Sequence, residues 1–262
     1  MTRYVRLFFA QLRASTLIAL QYRADFLLDG GIEILWTSTA LTPLLVLFGL
    51  RRGIAGWSFG EALVVVGFFT MLQAVMEGAF NPSFATVVDH VRKGTLDHVL
   101  MKPADAQFLV STARFHPWRS VNVLTATGIF VVAFHELGRT PSAAELGAAA
   151  LLFGAAVALL YSLWTFAMCT VFYAVRTDNL TDVFSAVFDA ARWPSSVFRG
   201  ATRLVLTFVV PLGLMTTVPA RALLGTLDGR SAALALVEAA LLLAISRVAW
   251  VRALGRYTSA SS

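Results

Sequence analysis

Cysteine and charged residues are scarce in this sequence. Cys169 is the single cysteine among 262 residues, which excludes an internal disulfide and a multi-cysteine metal site. Charged residues make up 14% of the chain, against roughly 25% in soluble domains, whereas 58% of the residues are hydrophobic. A chain of this composition cannot enclose its apolar surface in one soluble core, so the composition predicts an integral membrane protein.

Motifs for catalysis are absent from the sequence as well. It contains no Gly-x-x-x-x-Gly-Lys-Ser/Thr loop for binding phosphate, no His-Glu-x-x-His and no Gly-x-Ser-x-Gly. We therefore expect no enzymatic site, no cofactor and no metal ion. The 19 arginines, against two lysines, lie between the apolar runs. The positive net charge accordingly predicts contact with membrane lipid and no nucleic-acid partner.

Long apolar runs are abundant. A membrane span needs about 20 predominantly apolar residues, because the hydrocarbon core is roughly 30 Å thick. This rule predicts six spans, at Gly31–Leu50, Ala62–Phe80, Val121–Leu137, Leu146–Val175, Leu204–Ala220 and Ser231–Val251. We expect an all-α membrane protein whose residues 1–262 form a single transmembrane domain, because no soluble domain of about 100 residues fits between the spans.

The basic residues predict how the spans are oriented. With six spans, sixteen Lys and Arg residues fall on the side of the two termini and five on the other side. The positive-inside rule then places both termini in the cytosol. We expect residues 1–28, before the first span, to form an amphipathic helix on the membrane surface. Its predicted lipid-facing residues are Tyr4, Leu7, Phe8 and Leu12.

The longest predicted cytosolic segment, residues 81–120, contains signals for helix ends. Asn81-Pro82-Ser83 indicates a turn in which the Ser83 hydroxyl caps the helix that follows. That helix, over Phe84–Lys93, is predicted to stop at Gly94, a residue that suits a left-handed C-terminal cap. The segment therefore begins, by this prediction, with a capped helix at the membrane surface.

A second short helix is predicted directly after Gly94. Thr95 can cap it, Asp97 lies in its first turn, where the helix dipole favours an acid, and Pro103 ends it. Such a bent element, which carries both apolar and charged side chains, can dock into a groove on a partner protein. An ordinary interfacial loop with good caps is equally compatible with this local pattern.

Two stretches resemble a known family of membrane proteins. The first, Gly94–Pro103, has the pattern Gly-x-Leu-Asp-x-x-Leu-x-Lys-Pro. The second, Ala191–Gly225, contains Trp193-Pro194, Leu206-Thr-Phe208, Pro211, Pro219-Ala220 and Leu223-Leu-Gly225. Both are similar to ABC-2-type transporter permeases, in the subfamily with paired permease subunits. The departures, Trp at 193 where the family more often has Tyr and Met215-Thr-Thr before Val-Pro, change no essential chemical group.

The resemblance implies a function and a set of partners. It identifies the chain as the permease subunit of an ATP-binding cassette exporter in the bacterial inner (cytoplasmic) membrane. Two six-span subunits, identical or paralogous, would form the translocation pathway as a dimer. Each would dock one separate ABC ATPase through its first intracellular loop, so that two ATPase copies supply the energy. The cargo classes that the family suggests are drugs, lipids, polysaccharides and other amphiphiles.

The same resemblance implies roles for individual residues. The expected ATPase-coupling residues, all in the segment 81–120 with its coupling helix, are Asp89, Arg92, Gly94, Leu96, Asp97 and Pro103. A proline removes an amide donor and can bend a span, and the candidates for gating geometry are Pro194, Pro211 and Pro219. A static kink is the alternative reading of these prolines.

Two acids need a separate explanation because they lie inside predicted spans. Glu77 is near the cytosolic end of the second span, and Glu238 is nearer the middle of the last. A charge at the bilayer centre costs about 2.5–3.5 kcal/mol on insertion scales. These acids either line a possible cation-attracting pathway or pair with an arginine such as Arg247 or with lipid headgroups.

Other classes of function are compatible with parts of the pattern. A non-transporting membrane scaffold would anchor a cytosolic complex through the same loop. An ion-coupled secondary transporter would need polar clusters at mid-membrane and usually an internal repeat, and we find neither in the sequence. The scaffold is therefore the main alternative to the permease.

Overall fold

The computed structural model describes residues 2–21, 23–50, 53–54, 56–173, 188–193 and 211–257. Within these ranges the chain is helical, and a single β-bridge between Ile54 and Trp57 belongs to no strand. The described residues form ten α-helices: α1 (Thr2–Gln21), α2 (Arg23–Leu50), α3 (Phe59–Val75), α4 (Asn81–Arg92), α5 (Asp97–Leu100), α6 (Ala106–Ser111), α7 (Val121–Glu136), α8 (Ala143–Val171), α9 (Leu212–Leu223) and α10 (Gly229–Leu254). The predicted all-α class is confirmed.

Three helical stretches among the described residues are long and apolar enough to cross a membrane, namely Phe59–Arg92, Ala143–Val171 and Gly229–Leu254. They lie where the sequence predicts the second, fourth and sixth spans. Membrane insertion of the chain through these helices therefore agrees with its composition.

The other three predicted spans correspond to helices less completely. The first falls in the C-terminal part of α2, which contains Pro43, and the third coincides with α7, a helix of 16 residues. The fifth span includes residues 204–210, which lie outside the described residues, and its remainder falls in α9. The count of six spans therefore stays a prediction.

The long helices α3, α8 and α10 run from one end of the bundle to the other, and α7 runs back. At one end, Arg139 after α7 pairs with Glu145 at the start of α8 and donates a hydrogen bond to the carbonyl of Leu223 in α9. The other end carries residues 81–120, and there Asp105 contacts Arg247, near the end of α10. We call the second of these the loop end and the first the opposite end.

Glycines allow α3 and α7 to pack closely. A Cβ on Gly67 would lie 2.5 Å from a ring carbon of Phe130, and one on Gly60 would lie 2.8 Å from Leu137. Side chains larger than hydrogen at these two positions would therefore separate the helices. Interiors packed to this density have no room for an added methyl group, so the two glycines fix the α3–α7 distance.

The helix that begins at Phe59 does not turn at Asn81-Pro82-Ser83. It continues from α3 through one π-helical turn, Met76–Phe80, directly into α4. The Ser83 hydroxyl donates to the carbonyl of Arg114 (3.0 Å) instead of capping a helix. The predicted turn and the Ser83 cap are therefore wrong. The continuous helix accepts Pro82 because the carbonyl of Gly78, which an N–H at position 82 would bond, accepts the N–H of His116 (2.7 Å).

Candidate functional site

The end of α4 has the geometry that the sequence predicts for it. Gly94 has φ of 64°, its N–H donates to the carbonyl of Val91 (3.3 Å), and the N–H of Thr95 donates to that of His90 (2.9 Å). These two bonds satisfy carbonyls that a helix end leaves open. The Thr95 hydroxyl lies 2.9 Å from Nδ1 of His90, and no side-chain hydrogen bond caps α5. The predicted Thr95 cap is wrong, since this hydroxyl supports the turn itself.

The short helix α5 is fixed by apolar burial. Leu96 is fully buried and Val99 nearly so, in a cluster with Val87 of α4, Met168 of α8 and Trp250 of α10. Burying side chains of this size contributes roughly 1.5–3 kcal/mol each, far more than an exposed ion pair. Leu96, expected to couple to a partner, therefore points into the protein and anchors α5.

The remaining expected coupling residues lie at or near the surface. Asp89 and Lys93 form an ion pair of 3.6 Å whose side chains are both more than 60% exposed, so it contributes little to stability. The exposed residues directly after α5 include Met101, which is 72% exposed, and Pro103. Arg92 is exposed and Asp97 is partly exposed. We call these residues around α5, at the loop end, the ridge.

Asp105 connects this ridge to the last long helix, and sequence reasoning missed it. Its two carboxylate oxygens accept hydrogen bonds from the guanidinium of Arg247, at 3.1 and 2.6 Å, and the same guanidinium donates to Gln107 at 2.7 Å. Asp105 also caps α6 by accepting the N–H of Phe108 (3.0 Å). An aspartate directly before an apolar run is an N-cap signal, so this role of Asp105 could have been predicted. The ion pair could not, because Arg247 is 142 positions away in the sequence.

These contacts also set the charge state of Asp105. Burial raises the pKa of its carboxyl group, but hydrogen bonds from Arg247 and from the backbone of Phe108 outweigh burial, so the pKa lies below its ordinary value. Asp105 is therefore ionised at neutral pH. A bidentate pair between a carboxylate and a guanidinium fixes geometry as well as charge.

The first helix, α1, runs along residues 103–115 in the same chain direction. Arg3 donates to the carbonyl of Pro103, and the hydroxyl of Thr112 donates to the side-chain oxygen of Gln11 (2.6 Å). The N–H of Phe115 donates to the hydroxyl of Ser15 (3.1 Å). One face of α1 is therefore covered by residues 103–115 of the same chain.

That face includes residues that the sequence predicted to contact lipid. The rings of Tyr4 and Phe8 pack edge to face on Phe108 and Phe115, with centroids 5.0 and 5.3 Å apart. One side of each ring therefore contacts protein, while Tyr4 remains 40% exposed, so contact of these residues with lipid stays a prediction. Other apolar residues of the helix, including Val5 and Phe9, are more than half exposed. The helix therefore packs Tyr4 and Phe8 on the loop and leaves other apolar side chains exposed.

Glu77 lies in the π-helical turn Met76–Phe80, which the last residues of the segment 81–120 contact. Arg119 pairs with its carboxylate at 2.7 Å, and Gln73 donates to it at 3.1 Å. One residue later, the carbonyl of Gly78 accepts the N–H of His116 (2.7 Å), which replaces the N–H that Pro82 lacks. Pairing with an arginine is therefore confirmed for Glu77, although the arginine is Arg119. Irregular turns of this kind often mark functional positions in helices.

The other predicted site residues lie apart from this group. Glu238 is partly exposed in α10, and Arg247, one of its predicted partners, binds Asp105 instead. Pro211 precedes α9, and Pro219 is buried inside it. Pro194 lies outside the described residues. The hydroxyl of Thr216 donates to the carbonyl of Ala191 (2.9 Å), which joins α9 to residues 188–193.

No group of three or more potential metal ligands is found among the described residues. The site that the described residues do assemble is a ridge around α5 whose base joins α1, α3, α8 and α10. This arrangement combines exposed side chains around α5 with contacts to other helices of the bundle.

Comparison with known proteins agrees with the sequence motifs and the helical architecture. Residues 34–261 match the family model described as "ABC-2 family transporter protein". Searches of curated proteins and of solved structures gave no match. The family model covers most of the chain, and this family comprises membrane permeases of ABC transporters, which are normally non-catalytic and generally pair with an ABC ATPase. The chain is therefore a multi-pass membrane protein and belongs to the ABC-2 family of transporter proteins.

Proposed function

We propose that this chain is the permease subunit of an ATP-binding cassette exporter, with a separate ATPase docked on the ridge around α5. Two such permeases, identical or paralogous, form the translocation pathway. Family membership supports the permease, and the positive-inside count supports a loop end in the cytosol of a bacterial inner membrane. Because the loop end and both chain ends then share one side, an ATPase has access to the ridge.

An exposed tip on a fixed base is the observation that best supports an ATPase-docking site. At the tip, Leu100 is 37% exposed and Met101 is 72% exposed, large apolar side chains that a partner surface can cover. At the base, Leu96 and Val99 are buried between α4, α8 and α10. Buried apolar anchors carry most of the energy in protein interfaces, so Leu100 and Met101 are the residues on which docking depends.

The base of the ridge has three attachments through which movement of the ATPase reaches the long helices. First, Asp105 forms an ion pair with Arg247 of α10. Second, the ion pair between Glu77 and Arg119 joins the end of the loop to the helix that contains α3. Third, α4 continues α3 directly. Closure of two ATPases upon ATP binding would push two such ridges together. The long helices would then rearrange, and cargo would leave on the opposite side.

The gating residues remain part of the proposal. In α9, Pro219 removes one backbone hydrogen bond, and bends in long helices form at such positions. The other candidates for gating geometry are Pro211, directly before α9, and Pro194, which lies outside the described residues. Glu238 has no ion-pair partner among the described residues, so it is available for cation attraction in the translocation pathway.

The docking proposal is tested by capture of an ABC ATPase encoded in the same genome neighbourhood. The purified chain is mixed with this ATPase, and binding and ATP hydrolysis are measured for wild type, Met101→Glu and Thr140→Glu. Thr140 is exposed at the opposite end and gives the matched control. We expect Met101→Glu to weaken capture by about tenfold, which corresponds to about 1.4 kcal/mol, and Thr140→Glu to leave it unchanged.

Two results would contradict the proposal. Equal capture by both variants would place the ATPase elsewhere on the surface. Capture without any effect of the permease on ATP hydrolysis would favour the membrane scaffold, since a scaffold binds its partner but does not use its catalytic cycle.

A further inference from the structure

A groove of about 480 Å³ opens between α3, α7 and α8 and is unrelated to the ridge. Its walls include Phe68, Phe130 and Phe134, and on α8 it is lined by Ala150 and Phe153. Thr127 is the polar residue among those that line the groove. Its hydroxyl donates to the carbonyl of Val123 (2.8 Å). The groove therefore presents hydrocarbon to whatever fills it.

The groove follows from the close packing of two helices and the small residues of the third. The ring of Phe130 lies over Gly67 and packs edge to face on Phe68, with centroids 5.1 Å apart. Phe153 of α8 approaches the other side of Phe68 at 5.9 Å. Because α8 has alanine at 149 and 150, no side chain from it fills the space above these rings. From Thr127 to Phe134 the groove follows about 10 Å of α7.

A guanidinium lies at one end of this groove. Arg139 donates to the carbonyl of Leu223, a lining residue, and its Cζ is 5.8 Å from the ring centroid of Phe134, another lining residue. The side chain of Arg139 is 39% exposed, and its Nη1 atom donates to the carboxylate of Glu145. The guanidinium has five N–H donors, so donors remain for a further acceptor.

We propose that this groove binds one acyl chain of a membrane phospholipid, with the headgroup phosphate hydrogen-bonded to Arg139. The helices that line it include two of the candidate spans, so hydrocarbon and not water is available to fill it. Arg139 lies at the opposite end of the bundle, where a span meets the membrane surface and where a phosphate would lie. A guanidinium matches phosphate geometry with paired hydrogen bonds. This site goes beyond the proposed function and does not depend on ATPase docking.

The test uses the full chain reconstituted in nanodiscs of phosphatidylglycerol that contain a photoreactive phospholipid with a diazirine on its acyl chain. Cross-linked peptides are mapped by mass spectrometry for wild type, Ala150→Trp and Ala148→Trp. Ala150 lines the groove, whereas Ala148 is exposed on α8 and does not line it. We expect wild-type adducts to concentrate on residues 127–134 and 146–153. In Ala150→Trp these adducts should fall by about tenfold, and in Ala148→Trp they should persist.

The headgroup contact is tested with Arg139→Lys and Arg139→Gln in the same assay, since lysine retains a positive charge and glutamine does not. Adducts in the groove should be retained at least in part by the lysine variant and reduced in the glutamine variant. Adducts spread evenly over exposed faces such as that of α10, or unchanged in a folded Ala150→Trp protein, would overturn the proposal. Folding of each variant is checked by its thermal melting curve and gel-filtration profile.

Discussion

The two ends of the helical bundle are stabilised by different kinds of contacts. At the opposite end, the helices begin at caps in which the bonded residues are three positions apart, and these caps are Ser58 with Glu61, Ser142 with Glu145, and Asp228 with Ser231. Two of them are complete capping boxes, in which the glutamate also accepts the N–H of the serine. Each of these turns can form without the rest of the chain.

At the loop end, the contacts join residues far apart in sequence. Asp105 and Arg247 are 142 positions apart, and Ser15 and Phe115 are 100 apart. Local caps occur here as well, at Gly94 after α4 and at Asp105 before α6, but the long-range contacts join these segments to one another. The comparison teaches that the opposite end combines self-contained turns with a few long-range contacts, such as that of Arg139 with Leu223. At the loop end, long-range contacts connect α1, the loop and α10, which is what transmission of movement requires.

The largest effect is expected at the connection between the loop and α3. Glu77→Gln leaves Arg119 without its counter-charge at a partly buried position, so we expect the free energy of unfolding to fall by about 3 kcal/mol. Thermal melting in detergent measures this change. The double variant Glu77→Gln with Arg119→Met removes both charges and should recover part of the loss.

A different result would revive the pathway role of Glu77. If Glu77→Gln melts like wild type but loses transport, its carboxylate acts on cargo or ions and not on the loop connection.

The next largest effect is expected for two glycines at the opposite end, one constrained only by its backbone conformation and the other also by a neighbouring side chain. Gly138 and Gly225 both have φ near 65°, where an alanine costs about 1–2 kcal/mol. A Cβ on Gly225 would also lie 2.3 Å from a carboxylate oxygen of Glu145, whereas nothing lies within 4 Å of one on Gly138. Gly225→Ala should therefore lower the melting temperature more than Gly138→Ala, because it displaces Glu145 from Arg139. Equal effects would show that the side chain moves away at no cost.

A smaller change in stability with a larger change in coupling is expected at Asp105. Asp105→Asn keeps an N-cap acceptor for α6 but loses the ion pair, so we expect a loss of about 1 kcal/mol in stability. Stimulation of the ATPase by the permease should nevertheless fall strongly, because the bidentate ion pair that fixes Arg247 of α10 to Asp105 is lost. The control in the ATPase assay is Ser142→Ala, which removes a cap at the opposite end and is expected to cost a similar amount of stability.

The same pair predicts a pH dependence. The pKa of Asp105 is lowered in the folded state from an ordinary value of 3.8, so its stabilising effect is present above that value and is lost as the pH falls through the folded pKa. The difference in melting temperature between wild type and Asp105→Asn should be constant from pH 7 to pH 5 and should shrink only below about pH 4. A difference that disappears near pH 6 would contradict this assignment.

The smallest effects compare one cap with one surface ion pair. Ser142→Ala removes a side-chain acceptor for the N–H of Glu145 and should cost about 1 kcal/mol. Lys93→Ala breaks a solvent-exposed pair at the loop end and should stay within about 0.5 kcal/mol of wild type. A larger loss for Lys93→Ala than for Ser142→Ala in thermal melting would show that this pair contributes more to the loop end than an exposed ion pair ordinarily does.

Sequence reasoning succeeded at the site where a local rule decides the structure. Gly94 was predicted to end α4 in the left-handed region, and it does so because few other residues tolerate that conformation. It failed for Ser83 and Thr95, which have good cap chemistry but bond to Arg114 and His90 instead. A hydroxyl has several possible partners, and only the folded loop decides among them.

The same reasoning found the acids inside the predicted spans but did not identify their partners. It expected Glu77 to line a pathway, or to pair with lipid headgroups or an arginine, and it gave Arg247 only as an example. The structure gives both Glu77 and Arg247 partners that are distant in the sequence. Their partners, Arg119 and Asp105, lie 42 and 142 positions away, distances over which no spacing rule operates. The aromatic residues of α1 were likewise assigned to lipid, because a sequence does not distinguish an apolar face that meets protein from one that meets lipid.

The amino-acid sequence by itself determined that this protein is a helical membrane protein of the ABC-2 family, where its long apolar helices lie, and how the turns at the opposite end are capped. These features depend on composition, on the length of apolar runs and on residues within four positions of each other. Only the tertiary structure decided that α3 continues into α4, that Leu96 points inward, and that Asp105 and Glu77 join the ridge to the long helices. Such contacts depend on how distant helices pack, and packing is a property of the whole chain.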